Sequence, residues 1–298
     1  MHVLITGAGG FVGSRLARLL LARGDRVSGT YIEARPDLPG VELFEADLGD
    51  RSALEWAVRD ADPDAVVNLA GLSHIGESWK WERMPDYFRA NVAGTENVLL
   101  AAAGRPVVIA SSADVYGKVP ESEQPIPESR PVAPQTPYAL TKAAAERLAL
   151  AHGAVIVRSF NLIGPGQASS FALASWARQL AAIRRGEQEP VLKVGDLSTA
   201  RDFTHVDDGA EAYCLLAEKG ERGGIYNLAS GKAVPMREAL ERLLAIAGVH
   251  PEVREKAFEP RPFDIPHLSG DASRLHNLGW KSSRSLDQAL EDIWRDAQ

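Results

Sequence analysis

A tyrosine and a lysine four residues apart begin an alanine-rich segment in the middle of the chain. Tyr138 and Lys142 follow Pro137, and residues 138–151 have the pattern of a helix. Residues i and i+4 of a helix lie on one face, so the phenol and the ammonium group are neighbours. A nearby cation favours phenolate, and we expect it to lower the pKa of Tyr138 from its ordinary value of about 10. Such a tyrosine suits general acid–base catalysis near neutral pH.

A serine lies at the end of a predicted strand upstream of this pair. The apolar run Val107–Ala110 continues into Ser111 and Ser112. Ligands of parallel sheets bind at the carboxyl ends of the strands. Ser112 is therefore placed to hold a substrate carbonyl or alkoxide oxygen by a hydrogen bond. The alternative interpretation is a loop hydroxyl that caps a local backbone group.

A glycine-rich segment joins the first apolar strand to the first helix pattern. Glycines at 7, 10 and 13 allow a tight turn, close approach of a pyrophosphate, and close packing of the helix on the sheet. The phosphates would then lie at a helix N-terminus, where free N–H groups and the dipole favour an anion. We predict dinucleotide binding by Gly7, Gly9, Gly10, Phe11, Val12 and Gly13.

The end of the second predicted strand bears on the choice between NAD and NADP. NAD sites usually place an acid there to bind the ribose hydroxyls, whereas this chain has Thr30 and Tyr31. Arg35 follows closely and is suited to a 2′-phosphate. NAD remains an alternative because of Glu33: predicted strand ends carry errors of a few residues, so Glu33 could be the acid at the end of this strand. We expect NADP(H) to be preferred, with NAD(H) as the alternative.

The elements that position these residues alternate along the first half of the chain. Short apolar strands separated by helices predict an α/β fold with a Rossmann-like, doubly wound parallel sheet. The predicted strands are His2–Ile5, Arg26–Tyr31, Val41–Phe44, Ala65–Leu69, Val107–Ala110 and Ala154–Arg158, and the helices are Phe11–Ala22, Ser52–Arg59, Tyr87–Ala103 and Tyr138–Ala151.

The pattern changes after Gly164. Helices are predicted over Phe171–Arg185, Met236–Ala247 and Ser285–Arg295, with a smaller α/β substrate-binding region around them. We predict an NAD(P)-binding Rossmann domain over residues 1–163, rejoined by about 203–229. The substrate-binding region is predicted over 164–202 and 230–298.

Composition narrows the class of protein. The 298 residues carry 33 basic and 40 acidic side chains, a net charge of −7, which argues against nucleic acid and anionic membranes as partners. A single cysteine, Cys214, excludes an intramolecular disulfide and a cysteine-based metal site, and we expect no metal. There is no signal-peptide pattern and no long apolar span, so we expect a cytoplasmic protein.

In this order and at these separations, the motifs resemble the extended short-chain dehydrogenase/reductase family, whose nucleotide-sugar members modify a hexose on a nucleoside diphosphate. The resemblance rests on Thr6–Gly13, Asn68–Gly71, Ser111–Gly117, and Tyr138 with Lys142. It implies that the tyrosine is the general acid/base and that the serine binds the reacting oxygen. It implies that the lysine lowers the tyrosine pKa and holds the nicotinamide ribose.

The resemblance also implies further cofactor contacts. Asp47 and Leu48 are expected beside the adenine, and Leu69, Ala70, Gly71 and Ala110 near the cofactor ribose, phosphates and nicotinamide. Asn91 is expected to support the site. The alternatives are a helix cap for Asp47 and a buried structural amide for Asn91.

The second half of the chain resembles the GDP-4-dehydro-6-deoxy-D-mannose reductases of this family. That resemblance implies NAD(P)H-dependent reduction of the C4 ketone to give GDP-D-rhamnose, in deoxysugar biosynthesis. Three cations expected in loops, Lys193, Arg201 and Arg261, suit the diphosphate. His74 and Glu77, expected in a loop after the fourth strand, either contact the sugar or bond locally. The implied substrate contacts are Ser73, Ser112, Asn161, Ser170, Lys193, Arg201 and Arg261.

Departures from the relatives leave more than one activity open. GDP-mannose 4,6-dehydratases carry a glutamate where this chain has Asp114, so Asp114 is a candidate catalytic residue and the dehydratase remains an alternative. Fucose synthases carry a cysteine where this chain has Ala113, which argues against epimerisation at C3 and C5. A nucleotide-sugar 4-epimerase and a non-catalytic NADP-sensing protein also remain open.

Helices near 87–103 and 138–151 resemble those of the family's dimer interface, which implies a homodimer.

Overall fold

The computed structural model describes residues 1–259 and 262–298. In these residues the strands are β1 His2–Thr6, β2 Arg26–Tyr31, β3 Glu42–Glu45, β4 Ala65–Asn68, β5 Val107–Ser112, β6 Val155–Ser159, β7 Asn161–Ile163, β8 Val191–Lys193, β9 Ala200–His205, β10 Ile225–Leu228, β11 Ala233–Pro235, β12 Glu252–Arg254 and β13 His267–Leu268. The α-helices are α1 Phe11–Ala22, α2 Arg51–Ala61, α3 Ile75–Ser78, α4 Met84–Tyr87, α5 Gly94–Ala101, α6 Pro137–Ala151, α7 Ala172–Arg184, α8 Val206–Lys219, α9 Met236–Ala247, α10 Ser273–Asn277 and α11 Leu286–Ala297.

The larger sheet is parallel throughout the described residues, in the order β10-β6-β5-β4-β1-β2-β3. Its strand order reverses at β1, and the connections place helices on both faces. The predicted fold class, a Rossmann-like doubly wound sheet, is confirmed. β10 lies in the segment predicted to rejoin the first domain; the division into domains as a whole stays a prediction.

Both faces of this sheet are covered, which explains why its strands are nearly continuous apolar runs. Every residue of β1 and of β4 is buried. One apolar core joins the sheet to α1 and α8, and the other joins it to α2, α5 and α6. Apolar residues three or four positions apart lie on one face of a helix and pack into these cores. Leu16, Ala17 and Leu20 of α1 do so in the first core.

The smaller region follows directly from the end of β6. β7 begins at Asn161, two residues after β6 ends, and pairs with β9, which also pairs with β11 and β13. β8 and β12 form a separate pair, and α7, α9 and α11 share a third core. The chain therefore leaves the carboxyl edge of the large sheet straight into the smaller region. No helix of the described residues is long and apolar enough to cross a membrane.

Candidate active site

The glycine loop forms an open cradle at the first residues of α1. Gly10 is the N-cap, no side chain caps the helix, and the first turn carries no acid. The exposed N–H groups therefore suit an anion. A Cβ on Gly13 would lie 2.3 Å from the carbonyl oxygen of Gly7, and one on Gly9 would lie 2.8 Å from Pro36 Cβ. The cradle fits a dinucleotide and has no room for larger side chains at these positions.

A cavity of about 400 Å³ adjoins this cradle. Ser14, Arg15 and Arg18 line it from α1, and Pro36, Asp37, Pro165 and Asp296 line its other walls. These arginines were missed by the sequence reasoning, although their helical spacing from Phe11 places them on one face of α1. Arg15 Nη2 donates to the carbonyl oxygen of Pro165 at 2.9 Å, while Arg18 is exposed.

The end of β2 carries no acid. The strand ends at Tyr31, the preceding Thr30 is buried, and Glu33 is exposed with a positive φ of 61°. Arg35 is exposed beside Pro36, whose ring lies against the glycine loop. The residue next to Arg35 thus contacts the cradle, and the strand end has no carboxylate at the NAD-type position.

Two expected adenine contacts differ in exposure. Asp47 is exposed just after β3, and its Oδ1 accepts a hydrogen bond from the Gly49 N–H at 2.6 Å. The N-cap of α2 is Asp50, so the helix-cap alternative for Asp47 is wrong. The Leu48 side chain is buried in the core, which leaves its backbone as the part available to a ligand.

Asn91 lies in a π-helical segment, residues 88–93, between α4 and α5. The helix predicted near 87–103 is thus present, from α4 through this π-helical segment to the end of α5 at Ala101, and the π segment within it was not predicted. π-turns often accompany functional sites. Asn91 is buried, and its amide bonds both backbone groups of Leu72 and donates to Thr141 Oγ1 at 3.0 Å. It connects the loop after β4, which includes Leu69, Ala70 and Gly71, to the helix that carries Lys142.

The start of α6 is defined by local signals. Pro137 occupies the first turn, and Thr136 Oγ1 accepts from the Ala139 N–H at 3.0 Å as the N-cap. The Tyr138 N–H donates to Ser78 Oγ at 3.2 Å, so α3 also holds this turn. The Tyr138 phenol is buried, and α6 packs against β5, which ends at Ser112. The structure thus brings the predicted serine and tyrosine together.

The electrostatics at Tyr138 differ from expectation. Burial raises the pKa of Tyr138 above its ordinary value, and the Asp114 carboxylate raises it further, while the Ser112 hydrogen bond acts in the opposite direction. Burial lowers the pKa of Lys142 to about 8. Lys142 Nζ donates to the carbonyl oxygen of Ala110 at 2.7 Å. The predicted lowering of the Tyr138 pKa is wrong for the protein alone, because desolvation of the phenol outweighs the neighbouring cation.

Ser112 is hydrogen-bonded to Asp114. Its hydroxyl donates to Asp114 Oδ2 at 3.0 Å and accepts from the Asp114 N–H at 3.2 Å. It thereby caps the 3₁₀ turn over Ala113–Tyr116. The interpretation of Ser112 as a local cap is therefore confirmed, and its role toward a substrate stays a prediction.

A buried ion pair lies beneath these residues and was also missed by the sequence reasoning. Glu146, one turn after Lys142 on α6, accepts from Arg158 Nη2 at 2.7 Å and from Ser111 Oγ at 2.6 Å. The Arg158 guanidinium also stacks over the Tyr116 ring. The spacing of Glu146 four residues after Lys142, on one face of α6, was the available signal.

The expected substrate residues lie on several elements. Asn161 is exposed at the start of β7, beside β9, which carries Arg201. Arg201 donates to Asp264 Oδ1 at 2.6 Å. Lys193 ends β8 and Arg201 lies within β9, so the expectation that both lie in loops was wrong. Ser73 and Ser170 are exposed, and Arg261 lies outside the described residues.

His74 is the last loop residue before α3, and Glu77 lies within this one-turn helix. His74 Nδ1 accepts from the Glu77 N–H at 3.0 Å and caps α3, because an imidazole nitrogen can take the place of a capping oxygen. The predicted loop is thus wrong for Glu77, and the local-bonding alternative describes the observed contacts.

Comparison with known proteins relates this site to a family. Residues 3–229 match the model of the NAD dependent epimerase/dehydratase family. The chain belongs to this family. It is 36% identical over 306 residues to a GDP-6-deoxy-D-mannose reductase of Pseudomonas aeruginosa, covering 99% of this chain and 96% of the relative. It is 33% identical to a UDP-glucose 4-epimerase of Azospirillum brasilense, covering 94% and 86%.

Solved structures of family members have the same architecture. RMD from Pseudomonas aeruginosa, complexed with NADPH, is 34% identical with a TM-score of 0.86, covering 99% of this chain and 98% of that one. The UDP-glucose 4-epimerase of Thermus thermophilus, in complex with NAD, is 30% identical with a TM-score of 0.88, covering 100% and 99%. Both cofactor types thus occur among close structural neighbours in this family.

Proposed function

We propose that this protein is a cytoplasmic reductase that converts GDP-4-dehydro-6-deoxy-D-mannose to GDP-D-rhamnose with NADPH. The single observation that carries the proposal is the packing of α6, which carries Tyr138 in its first turn, against β5, which ends at Ser112. Both residues lie at the carboxyl edge of the large sheet, the edge that also carries the glycine loop after β1. The full-length likeness to a GDP-6-deoxy-D-mannose reductase supports the substrate. NADPH is preferred to NADH because β2 ends without an acid and Arg35 follows it.

In this proposal the side chains supply the proton and hold the reacting oxygen. The nicotinamide, when bound, supplies hydride to the sugar C4. Tyr138 donates its phenolic proton to the C4 oxygen, so that ketone, hydride and proton together give the alcohol. Ser112 holds the same oxygen by a hydrogen bond. The Lys142 cation stabilises the phenolate that remains, and it faces the cofactor ribose.

The raised pKa of Tyr138 suits this direction of reaction. A reductase needs a protonated acid when its ketone binds, and burial keeps the phenol protonated at neutral pH. The remaining proposed contacts hold the GDP-sugar at the mouth of the smaller region. They are Ser73, Asn161, Ser170, Lys193 and Arg201, and the proposed cofactor contacts are those predicted from the sequence.

A GDP-mannose 4,6-dehydratase is the second candidate. The Asp114 carboxylate bonds to Ser112 and influences Tyr138, so an acidic group does lie where the elimination step would need one. Asp114 differs from the glutamate that those enzymes carry, because an aspartate side chain is one methylene shorter. The two candidates differ in substrate, because the dehydratase consumes GDP-mannose without net oxidation of cofactor.

The test is turnover with a defined substrate. GDP-4-dehydro-6-deoxy-D-mannose is mixed with the protein and NADPH or NADH, and loss of reduced-nicotinamide absorbance is followed, with NMR of the product. Oxidation with formation of one GDP-deoxyhexose is expected. Absence of oxidation, with conversion of GDP-mannose instead, would favour the dehydratase. Tyr138→Phe should lower turnover by about 10²–10⁴-fold while NADPH binds as before.

A homodimer is part of the proposal. Leu100 on α5 and Leu140 on α6 are large apolar side chains that remain 37% and 48% exposed. Burial of such side chains against a second copy would remove them from water. Sedimentation that shows only the 32.1 kDa species at micromolar concentration would contradict the dimer.

A further inference from the structure

His74 is a side chain beside the candidate site to which the proposed reduction gives no task. It is the N-cap of α3, the one-turn helix whose Ser78 hydroxyl accepts the N–H of Tyr138 at 3.2 Å. The imidazole ring meets the Phe171 ring at an angle of 65°, with the ring centroids 6.2 Å apart. Phe171 is the N-cap of α7, which belongs to the smaller region. His74 therefore lies where the two regions meet, next to the turn that carries Tyr138.

The hydrogen bonds of His74 fix which ring nitrogen carries the proton. Nδ1 accepts from the Glu77 N–H at 3.0 Å, so the hydrogen of the neutral ring is on Nε2. The two nitrogens point to nearly opposite sides of the ring, and Nε2–H is therefore directed away from α3. The Glu77 carboxylate bonds Lys80 Nζ instead, at 2.8 and 2.9 Å. Within the described part of the chain, no hydrogen bond reaches His74 Nε2.

The imidazole is held in place on several sides. The His74 carbonyl oxygen accepts from the Tyr87 hydroxyl at 2.5 Å, Nδ1 is fixed by α3, and the ring packs on Phe171. A group that is already ordered loses little conformational entropy when it forms a new hydrogen bond. The exposed serines Ser73 and Ser170, which we propose as substrate contacts, adjoin the two rings in sequence. Nε2–H is thus a preorganised donor beside residues expected to hold the sugar.

We propose that His74 is a substrate-binding residue whose Nε2–H donates a hydrogen bond to a hydroxyl oxygen of the hexose, and not to the nucleotide. The assignment rests on the proposed function, because that reaction brings a nucleotide sugar to this site. Tyr138 must reach the C4 oxygen, so the hexose has to lie at the first turn of α6, to which α3 is bonded. The proposed diphosphate contacts Lys193 and Arg201 lie instead on β8 and β9.

The experiment compares a nucleotide with its nucleotide sugar. Calorimetric titration gives the Kd of GDP and of GDP-mannose, with NADPH present, for wild type, His74→Asn and His152→Asn. Asparagine is a preferred N-cap, so His74→Asn keeps the start of α3 and removes the ring N–H. We expect it to weaken GDP-mannose binding roughly 3–10-fold and to leave GDP binding unchanged. His152→Asn, exposed at the other end of α6, is the matched control and should follow wild type with both ligands.

Unchanged GDP-mannose affinity in His74→Asn would overturn the proposal. An equal loss for GDP and GDP-mannose would overturn it too, because that result indicates a loosened α3. Nitrogen-15 NMR of the imidazole, assigned with the His74→Asn spectrum, is a second measurement that a purely structural role would not move. We expect the proton on Nε2 in the free protein, and a shift of the Nε2 resonance with GDP-mannose but not with GDP. A proton on Nδ1 of the neutral ring, or the same response to both ligands, would contradict the proposal.

A second ligand pair, UDP and UDP-glucose, separates this inference from the proposed function. If wild type binds UDP-glucose and not GDP-mannose, the GDP-linked substrate is wrong, and the UDP pair then decides the role of His74 by the same comparison. If wild type reduces the GDP-keto sugar and His74→Asn retains wild-type affinity for GDP-mannose, the proposed function stands and the inference fails. A wild type that binds neither sugar nucleotide would overturn both.

Discussion

Lys142 Nζ donates a hydrogen bond to the carbonyl oxygen of Ala110 at 2.7 Å, and this bond joins α6 to β5 two residues before Ser112. The ammonium group is thus held at the sheet, in a buried place where its charge is costly. Burial that makes the charged ammonium group costly also removes the water that would screen it. An unscreened cation acts strongly on neighbouring groups.

Replacement of this lysine should stabilise the protein while it inactivates it. Burial lowers the Lys142 pKa from its ordinary 10.5 to about 8, so the folded state binds this proton less readily than the unfolded state. Below pH 8 the full cost is present, and it disappears as pH rises from 8 to 10.5. Lys142→Met should therefore raise the free energy of unfolding at pH 7, by about 2–4 kcal/mol. This gain should shrink between pH 8 and 10.5.

Urea unfolding at several pH values measures this gain, and NADPH oxidation measures the loss of turnover. Lys80→Met, an exposed lysine paired with Glu77, is the matched control and should change stability little. A gain that increases with pH across this range would contradict the prediction.

The glycine cradle should tolerate no Cβ at Gly13. A methyl group there would lie 2.3 Å from the Gly7 carbonyl oxygen, so α1 or the loop must shift. We expect Gly13→Ala to lower the free energy of unfolding by about 1–3 kcal/mol and to weaken NADPH binding. Gly195→Ala is the control, because a Cβ there meets nothing within 4 Å. It should stay within about 0.5 kcal/mol of wild type. Equal behaviour of the two variants would count against the cradle.

Arg35 and Arg18 should distinguish the two nicotinamide cofactors. Both side chains are exposed; Arg18 lines the cavity beside the glycine loop, and Arg35 precedes Pro36, which lines it as well. A 2′-phosphate that meets a guanidinium gains a charge-assisted bond of about 1.5–3 kcal/mol. Arg35→Ala should weaken NADPH binding by roughly 10–100-fold and leave NADH binding unchanged, and Arg18→Ala should act in the same direction. Calorimetric titration with each cofactor and with 2′,5′-ADP is the measurement.

Arg51→Ala on α2, whose charge pairs with Glu55, is the matched control for this series. An equal loss of NADPH and NADH affinity in Arg35→Ala would show that the guanidinium does not read the 2′-phosphate.

The buried pair of Glu146 and Arg158 should be essential for stability. Both side chains are at most 5% exposed, and Glu146 also accepts the Ser111 hydroxyl hydrogen. Glu146→Gln leaves the guanidinium buried without a counter-charge, which should lower the free energy of unfolding by about 3–5 kcal/mol. Glu187→Gln, in the exposed pair with Arg185, is the control and should have little effect. Urea denaturation compares them, and similar midpoints for both variants would refute the prediction.

The sequence predicted those features that depend on local periodicity and spacing. The strand Arg26–Tyr31 and the helices Phe11–Ala22 and Met236–Ala247 have their predicted limits, because their apolar residues alternate or recur at the period of the element. The family resemblance implied that Ser112 and Tyr138 share one site, and the structure packs α6, which carries Tyr138, against β5, which ends at Ser112.

The tertiary structure alone decided the features that arise between distant segments. The π-turn at Asn91 carries an amide that bonds Leu72 and Thr141, neither of which is near in sequence. The pairing of Glu146 with Arg158 and the partner of Lys142 depend on how α6 lies against the sheet. The raised pKa of Tyr138 follows from burial, which no spacing of residues along the chain encodes. Sequence therefore determined which groups are available for the proposed chemistry, and packing determined their protonation, because desolvation depends on everything that surrounds a group.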